Sequence, residues 1–254
     1  MGVWGWATET KQEEIVNFVQ GEHNVDRQTF ITRLEQIKNS VLALGAKICS
    51  WEIDEPSSME TVCKIEKIYR IKLPSDFVKM VTEVAGRVNI AWSIYENKSF
   101  REQYPQFQNI ISGALQWDIE HYLKGKEYQS YQYYTTHWED MRGFLDFAEI
   151  PNGDMLLFNL VYPGDKKPVV YLNHDGEYAY PVRLAESFQE YVERLLKIGL
   201  VGSEIWQLEK FIRPELEEKD GKPCEPGTID PECAYALKWK EILDLSSTAN
   251  GNGI

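Results

Sequence analysis

Residues 64–92 read KIEKIYRIKLPSDFVKMVTEVAGRVNIAW and combine two amphipathic segments, separated by a proline, with the start of an alternating pattern. Pro74 disfavours helical geometry at the residue before it and suits the first turn of a new helix, where its missing N–H would be unpaired anyway. Ser75 and Asp76 then place polar and negative groups at the positive end of that helix, and Gly86 is a typical residue to end it. The stretch therefore predicts two helices followed by a strand.

Each predicted helix has one apolar face. Ser57 and Glu60 have the spacing of a capping box at the start of the first helix. Its apolar face is made of Met59, Val62, Ile65 and Ile68. The face of the second is made of Phe77, Met80, Val81 and Val84. From residue 88 to 94 apolar and polar residues alternate, which is typical of a strand.

The rest of the chain extends this order in both directions. An apolar face at helical spacing predicts a helix over 28–44, and a shorter helix is expected at 13–20. We interpret 98–142 as short helices and loops. Turn sequences such as Pro-Asn-Gly-Asp and Asp-Gly separate further predicted strands at 143–150, 155–162, 168–174 and 177–184. A helix follows at 188–199, one more helix is predicted at 203–212, and 234–245 is a short amphipathic segment.

Helices followed by strands and then a helix predict an α+β protein. We expect N-terminal helices, a central antiparallel sheet of about five strands in a meander, and a C-terminal helix packed on it. The final residues, SSTANGNGI, have the composition of a disordered end.

Composition excludes some classes of protein. The chain has 254 residues, of which 43% are hydrophobic and 26% charged, as in ordinary globular proteins. It contains no run of 18 apolar residues, so no transmembrane helix is expected. Its beginning lacks the pattern of a secretory signal, so we expect a cytoplasmic protein.

The charge balance bears on the partner. Forty acidic residues against 27 lysines and arginines give a formal net charge of −13. Such a field repels phosphate backbones, so no direct binding to nucleic acid is expected. The same field would speed encounter with a basic protein, although solubility alone explains it equally well.

Several motifs together resemble the SUKH superfamily, the Smi/Knr-type proteins. The first is IYRIKLPSDFVKMVTEVAG at 68–86, in which Ala-Gly replaces the Asn-Gly of the family. The others are Gly153-Asp154 before an aliphatic strand, Pro168-Val169 with a following tyrosine, and Ala185-Glu186-Ser187-Phe188 at a helix start. Asn159 stands where many members carry an acid. The resemblance covers residues 57–200, with extensions at 1–56 and 201–254.

The resemblance implies a non-enzymatic binding protein. Members of the superfamily include bacterial immunity proteins that neutralise toxins and fungal regulators of cell-wall synthesis. The motif residues themselves have structural explanations as helix entries, core anchors and turns. We interpret them as residues that build the fold.

The sequence carries little that indicates catalysis. It contains no Gly-x-Ser-x-Gly, no phosphate-binding glycine loop, no His-Glu-x-x-His and no Cys-x-x-Cys, so no cofactor or metal is predicted. Of the histidines, His121 and His137 have acidic neighbours and could meet in a carboxylate–histidine cluster. This leaves a hydrolase as an alternative hypothesis, but we favour surface or hydrogen-bonded histidines.

The same two segments predict a protein-binding surface better. Aromatic side chains interleaved with acids provide buried anchors and charges for a basic partner. The candidate contacts are Trp117, Asp118, Glu120, Tyr131, Tyr134, Trp138, Glu139 and Asp140. Alternatively, the tryptophans and many of the tyrosines belong to the core. The leading hypothesis is an immunity protein that masks a basic toxin, such as a nuclease, and the second is a cytoplasmic scaffold or regulator.

Overall fold

The structure is a computed structural model that describes residues 26–123, 143–173, 181–202, 204–212 and 228–244. In these residues seven strands form two antiparallel sheets, of three and four strands, with helices around them. The α+β class is confirmed. The strands form two sheets rather than the single sheet expected, and two of the seven were not predicted because their sequence signals are weak.

The first elements are a helix, a strand and a second helix. Helix α1 spans Arg27–Ala43 and begins at Asp26, whose side chain accepts from the N–H of Thr29 at 3.0 Å. Strand β1 spans Lys47–Ile53, and helix α2 spans Met59–Tyr69. Helix α1 buries the face predicted from its spacing, which consists of Phe30, Leu34, Ile37 and Val41. The predicted helix at 13–20 lies outside the described residues.

The Leu-Pro-Ser-Asp motif starts a helix as predicted. Helix α3 spans Ser75–Lys79 and continues without a break into a π-helical turn, Met80–Val84. The N–H of Ala85 closes that turn on the carbonyl of Met80 at 3.0 Å. A π turn widens the helix by one residue per hydrogen bond. The chain then enters strand β2, Arg87–Ser93.

The three-stranded sheet has the order β1-β2-β3, all antiparallel. Helix α4, Lys98–Gln103, and a 3₁₀ turn, Pro105–Phe107, lead into strand β3, Ser112–Asp118. The interpretation of 98–142 as helices and loops is therefore wrong for β3. Its apolar positions include Gly113, so the alternating pattern of apolar and polar residues was weak.

The four-stranded sheet is the predicted meander. It consists of β4, Phe144–Glu149, β5, Met155–Asn159, β6, Val169–Leu172, and β7, Val182–Ala185. Strands β5 and β6 are buried along their continuous apolar sequences, and only Asn159 at the end of β5 is half-buried. One face joins the main core, and the other forms a second apolar cluster of Met155, Leu157, Val170 and Leu172.

Three helices complete the described chain. Helix α5 spans Phe188–Lys197 and is capped by Ser187, whose side chain accepts from the N–H of Glu190 at 3.2 Å. Helix α6, Ile205–Leu208, runs into a 3₁₀ turn, and helix α7 spans Ala234–Leu243. The predicted helices over 188–199 and 203–212 are confirmed, each over a shorter range, and the amphipathic segment 234–245 is helical from Ala234 to Leu243. The final residues, from 245 on, lie outside the described chain.

The elements share one main core. At its centre the rings of Phe77 and Phe188 meet edge to face with centroids 4.8 Å apart, and those of Phe147 and Phe158 stack at 4.6 Å. Helices α1 and α7 contribute to the same core, so residues on both sides of 56/57 and 200/201 pack together. The division of the chain at those two points is not tested by this packing and stays a prediction.

Candidate partner-binding surface

The three-stranded sheet has one buried face and one face open to solvent among the described residues, and we call the second its outer face. Along β2 and β3 every other residue is buried against the core, and the residues between them are half-buried. Those on the outer face are small or polar. They are Lys47, Ser50 and Glu52 of β1, Arg87, Asn89, Ala91 and Ser93 of β2, and Ser112, Ala114, Gln116 and Asp118 of β3.

A hydrogen-bond network holds the polar side chains of the outer face in place. Asn89 lies at its centre, and its Oδ1 accepts from Ser50 Oγ at 3.3 Å and from Gln116 Nε2 at 3.2 Å. The Nδ2 of Asn89 donates to Glu52 Oε2 at 3.3 Å. The network links all three strands. A partner would therefore meet side chains that have already lost much of their rotational freedom.

One end of the outer face is acidic. The guanidinium of Arg87 donates to Glu52 and has an Nη1–Oδ2 distance of 3.7 Å to Asp54. Asp118 is the residue paired with Arg87 across β2 and β3. Three carboxylates thus surround one guanidinium and leave this end negative, and together with Glu120 we call them the acidic end.

The charges of the acidic end stabilise one another. Hydrogen bonds from Asn89 and Arg87 lower the pKa of Glu52, so this carboxylate stays ionised. Hydrogen bonding and charge attraction from Glu52, with further attraction from Asp54 and Asp118, raise the pKa of Arg87. The side chains of Glu52 and Asp54 are 52% and 55% exposed, so a partner can reach them.

Of the predicted contact residues, the structure places Asp118 and Glu120 at the acidic end. Asp118 is half-buried and its Oδ1 accepts from the N–H of Glu120 at 2.9 Å, while Glu120 is exposed. Five other candidates, Tyr131, Tyr134, Trp138, Glu139 and Asp140, lie outside the described residues.

Trp117 belongs to the core. Its side chain is on the buried face of β3, and the residue is 2% exposed. Its indole N–H donates to the carbonyl of Ala85 at 2.9 Å, and its ring meets Phe188 edge to face at 5.4 Å. Successive side chains of a strand point to opposite faces of the sheet, so Trp117 points into the core while its neighbour Asp118 points to the outer face. Trp117 thus packs in the core on the side of β3 opposite to the acidic end.

The histidines do not form a cluster within the described chain. His121 lies in the 3₁₀ turn Ile119–Leu123 that follows β3, near the half-buried Asp146 of β4. Burial raises the pKa of Asp146, and His121 partly opposes this shift. The other three histidines fall outside the described residues. Among those described, no three His, Cys, Asp or Glu side chains come together as metal ligands would, and no helix could span a membrane.

The sequence did not predict Glu52, Asp54, Arg87 and Asn89 as members of this surface. Glu52 and Arg87 are 35 residues apart and meet only because β1 pairs with β2. The alternation along β2 does identify Arg87 and Asn89 as outward positions. Nothing in that pattern indicates which carboxylates face them.

Comparison with protein-family models matches residues 56–194 to the SMI1 / KNR4 family (SUKH-1), which is more than half of the chain. The chain belongs to this family. The resemblance drawn from its motifs is confirmed. A search of curated proteins found no match.

The matched range includes only part of the candidate surface. Strands β2 and β3, with Arg87, Asn89 and Asp118, lie inside the matched range. Strand β1, with Glu52 and Asp54 beside it, precedes the range, as does helix α1. The acidic end therefore combines residues of the matched region with residues outside it.

Proposed function

We propose that this SUKH-1 protein is a cytoplasmic, non-enzymatic immunity protein that neutralises a basic toxin by direct contact. The acidic end of the outer face is the observation that supports the proposal most strongly. It presents Glu52, Asp54, Asp118 and Glu120 on an ordered, partly exposed surface of a chain with a net charge of −13.

The chemistry of nuclease toxins fits this surface. A cleft that holds phosphates is basic, and an acidic protein that occupies it competes with the nucleic acid. Complementary charge raises association rates to roughly 10⁸ M⁻¹s⁻¹ or more at low salt. A fast association is useful to an immunity protein, because the toxin must be captured before it acts.

The contact surface extends from the acidic end into the aromatic segment that follows β3. The proposal includes Asp118 and Glu120, which lie at the acidic end, and the sequence-predicted Tyr131, Tyr134, Trp138, Glu139 and Asp140. Trp117 has a supporting role, because its indole holds the end of β3 against the core. Aromatic anchors would contribute most of the binding energy and the carboxylates the rate and specificity.

Co-expression with a candidate toxin tests the proposal. The toxin domain encoded next to this gene is produced in a bacterial host with and without the chain, and growth is recorded. We expect the chain to restore growth and the purified pair to form a complex. A neighbouring toxin that is neither neutralised nor bound would contradict the proposal.

A regulatory or scaffold protein is the alternative, and affinity capture from the native cell distinguishes it. An immunity protein is expected to retain one basic partner with slow dissociation. A scaffold would instead retain several partners of modest affinity, and the cell would show no toxicity when the gene is deleted.

A further inference from the structure

Strand β1 has a free edge within the described part of the chain. One edge pairs with β2 from Lys47 to Ile53, with an irregularity at Cys49. No described backbone group bonds to the other edge. The residues along β1 are half-buried or exposed, and none is buried.

The pairing with β2 shows which backbone groups point outward. The N–H of Asp54 donates to the carbonyl of Arg87 at 3.0 Å, so these two form a hydrogen-bonded pair. In an antiparallel ladder such pairs alternate with non-bonded ones. Trp51 and Ile53 are therefore at the non-bonded positions, and their N–H and C=O groups face away from β2.

Two other described edges are covered by the chain itself. The outer edge of β3 bonds to the segment after α5, where the N–H of Ala114 donates to Leu200 at 2.9 Å and that of Gly202 donates to Ser112 at 3.2 Å. On β7 the carbonyl of Leu184 accepts from the N–H of Ile229 at 3.0 Å. The free edge of β1 thus contrasts with the outer edges of β3 and β7, which the fold covers with its own chain.

We propose that an extended, basic segment of the partner protein adds to β1 as a fourth strand of this sheet. The inference rests on the proposed function only for the existence of a basic protein partner. Addition of a strand to an open edge supplies backbone hydrogen bonds, and alternate side chains supply the specificity.

The side chains of β1 define the chemistry of that segment. On the outer face its residues would lie beside Glu52 and near Asp54, which favours lysine or arginine. On the inner face they would lie beside Trp51 and Ile53, which favours apolar residues. The ring of Trp51 is only half-buried, with the ammonium of Lys38 5.2 Å from its centroid. Alternating basic and apolar residues therefore match this edge.

A second copy of the chain is a poorer occupant of the same edge. Lys47 and the irregularity at Cys49 are features that natural edge strands use against self-pairing. Two chains that each carry a charge of −13 also repel one another. A basic segment carries the charge opposite to that of the chain, and Trp51, Glu52 and Ile53 lie on the part of β1 beyond the irregularity.

Synthetic peptides test strand addition directly. The probe is a fluorescein-labelled peptide of eleven alternating lysines and valines, titrated with the full chain and followed by fluorescence anisotropy. Two further peptides carry N-methyl groups, one on every valine and the other on every lysine. In an added strand only alternate N–H groups point at β1, so we expect one methylated peptide to lose binding by at least about tenfold and the other to retain it.

Charge variants complete the experiment. The double variant Glu52→Gln, Asp54→Asn is expected to weaken binding of the unmodified peptide about tenfold at low salt. Glu241→Gln, an equally conservative change on the exposed side of α7, is the control and is expected to leave it unchanged. A peptide of alternating glutamates and valines should not bind.

Three results would overturn the inference. These are no binding of the basic peptide, equal binding of both methylated peptides, and a dimer in analytical ultracentrifugation that the peptide does not dissociate. If a toxin is neutralised while the peptides fail to bind, only strand addition is wrong. If the peptides bind as expected and no toxin is neutralised, the proposed function is wrong and the edge remains a site for basic segments.

Discussion

The carboxylate of Asp76 accepts a hydrogen bond of 2.9 Å from the backbone N–H of Gln189, which lies 113 residues further along the chain. Asp76 belongs to the Leu-Pro-Ser-Asp motif at the start of α3, and Gln189 lies in the first turn of α5. Beside this bond the rings of Phe77 and Phe188 meet at 4.8 Å. Two motifs that are distant in sequence are thus a single contact in the fold.

Removing the side chain of Asp76 is expected to destabilise the protein. The residue is only 4% exposed and accepts from a backbone N–H in the first turn of α5. Asp76→Ala removes this hydrogen bond from a partly buried site, at a cost of about 1–3 kcal/mol in the free energy of unfolding. Urea denaturation, monitored by tryptophan fluorescence, measures this change in the free energy of unfolding. Asp165→Ala, at an exposed position of the β5–β6 loop, is the control and should change stability by less than about 0.5 kcal/mol.

The second buried acid, Asp154, depends on Tyr171. The Tyr171 hydroxyl and the Asn152 amide both donate to Asp154 Oδ2, the amide at 2.7 Å. Tyr171→Phe removes one donor from a carboxylate that is 1% exposed, so we expect a loss of about 1–3 kcal/mol. A double-mutant cycle that combines Tyr171→Phe with Asp154→Asn, measured as free energies of unfolding, tests whether this hydrogen bond is responsible. If the two single changes add without coupling, the hydrogen bond does not carry the stability.

Asp146 gives the protein a stability that depends on pH. Burial raises its pKa in the folded state, with a small contribution from Glu149 and an opposing one from His121. The folded protein therefore holds the proton more tightly than the unfolded chain, and this contribution to stability is lost as pH rises through the folded pKa. Asp146→Asn should be more stable than the native protein at pH 7.

The higher stability of Asp146→Asn relative to the native protein should shrink as the pH is lowered towards about 4, where aspartate in the unfolded chain begins to bind protons. Thermal melts of both proteins between pH 4 and 8 measure the difference. An unchanged difference across this range would show that Asp146 does not carry the effect.

Gly113 lets β3 approach the segment that covers its edge. A Cβ at this position would lie 2.4 Å from both the carbonyl oxygen of Leu200 and the indole of Trp92. Gly113→Ala must displace backbone or a buried ring, so we expect a loss of about 1–3 kcal/mol in chemical denaturation. Ala114→Ser, on the outer face of the same strand, is the matched control. Equal stability of both variants would contradict this close contact.

Charge reversal at the acidic end should slow association with the basic partner. Asp118→Lys combined with Glu120→Lys changes four units of charge at exposed or half-exposed positions, so the fold should be kept. We expect the association rate to fall by about tenfold or more at low salt and by much less at high salt. Stopped-flow mixing with the toxin domain measures it, with Glu241→Lys as control. A rate that does not depend on the substitution would place the interface elsewhere.

The sequence by itself determined the elements that depend on local geometry. The spacing of apolar residues located the face of α1, and Pro74 with Ser75 and Asp76 located the start of α3, because helix periodicity and capping act within a few residues. The strands β4 to β7 were predicted for the same reason. Turn residues separate them in the sequence, and the continuous apolar runs of β5 and β6 need burial on both faces.

The tertiary structure alone decided which strands share a sheet and what each surface residue faces. Trp117 was a candidate contact, and the pairing of β2 with β3 directs its indole into the core. Asp54, Arg87 and Asp118 come from three segments and became one acidic end only when β1 and β3 docked on either side of β2. Alternation in a sequence shows that a residue points outward, but the register between strands determines its neighbours, and that register is set by packing across the whole core.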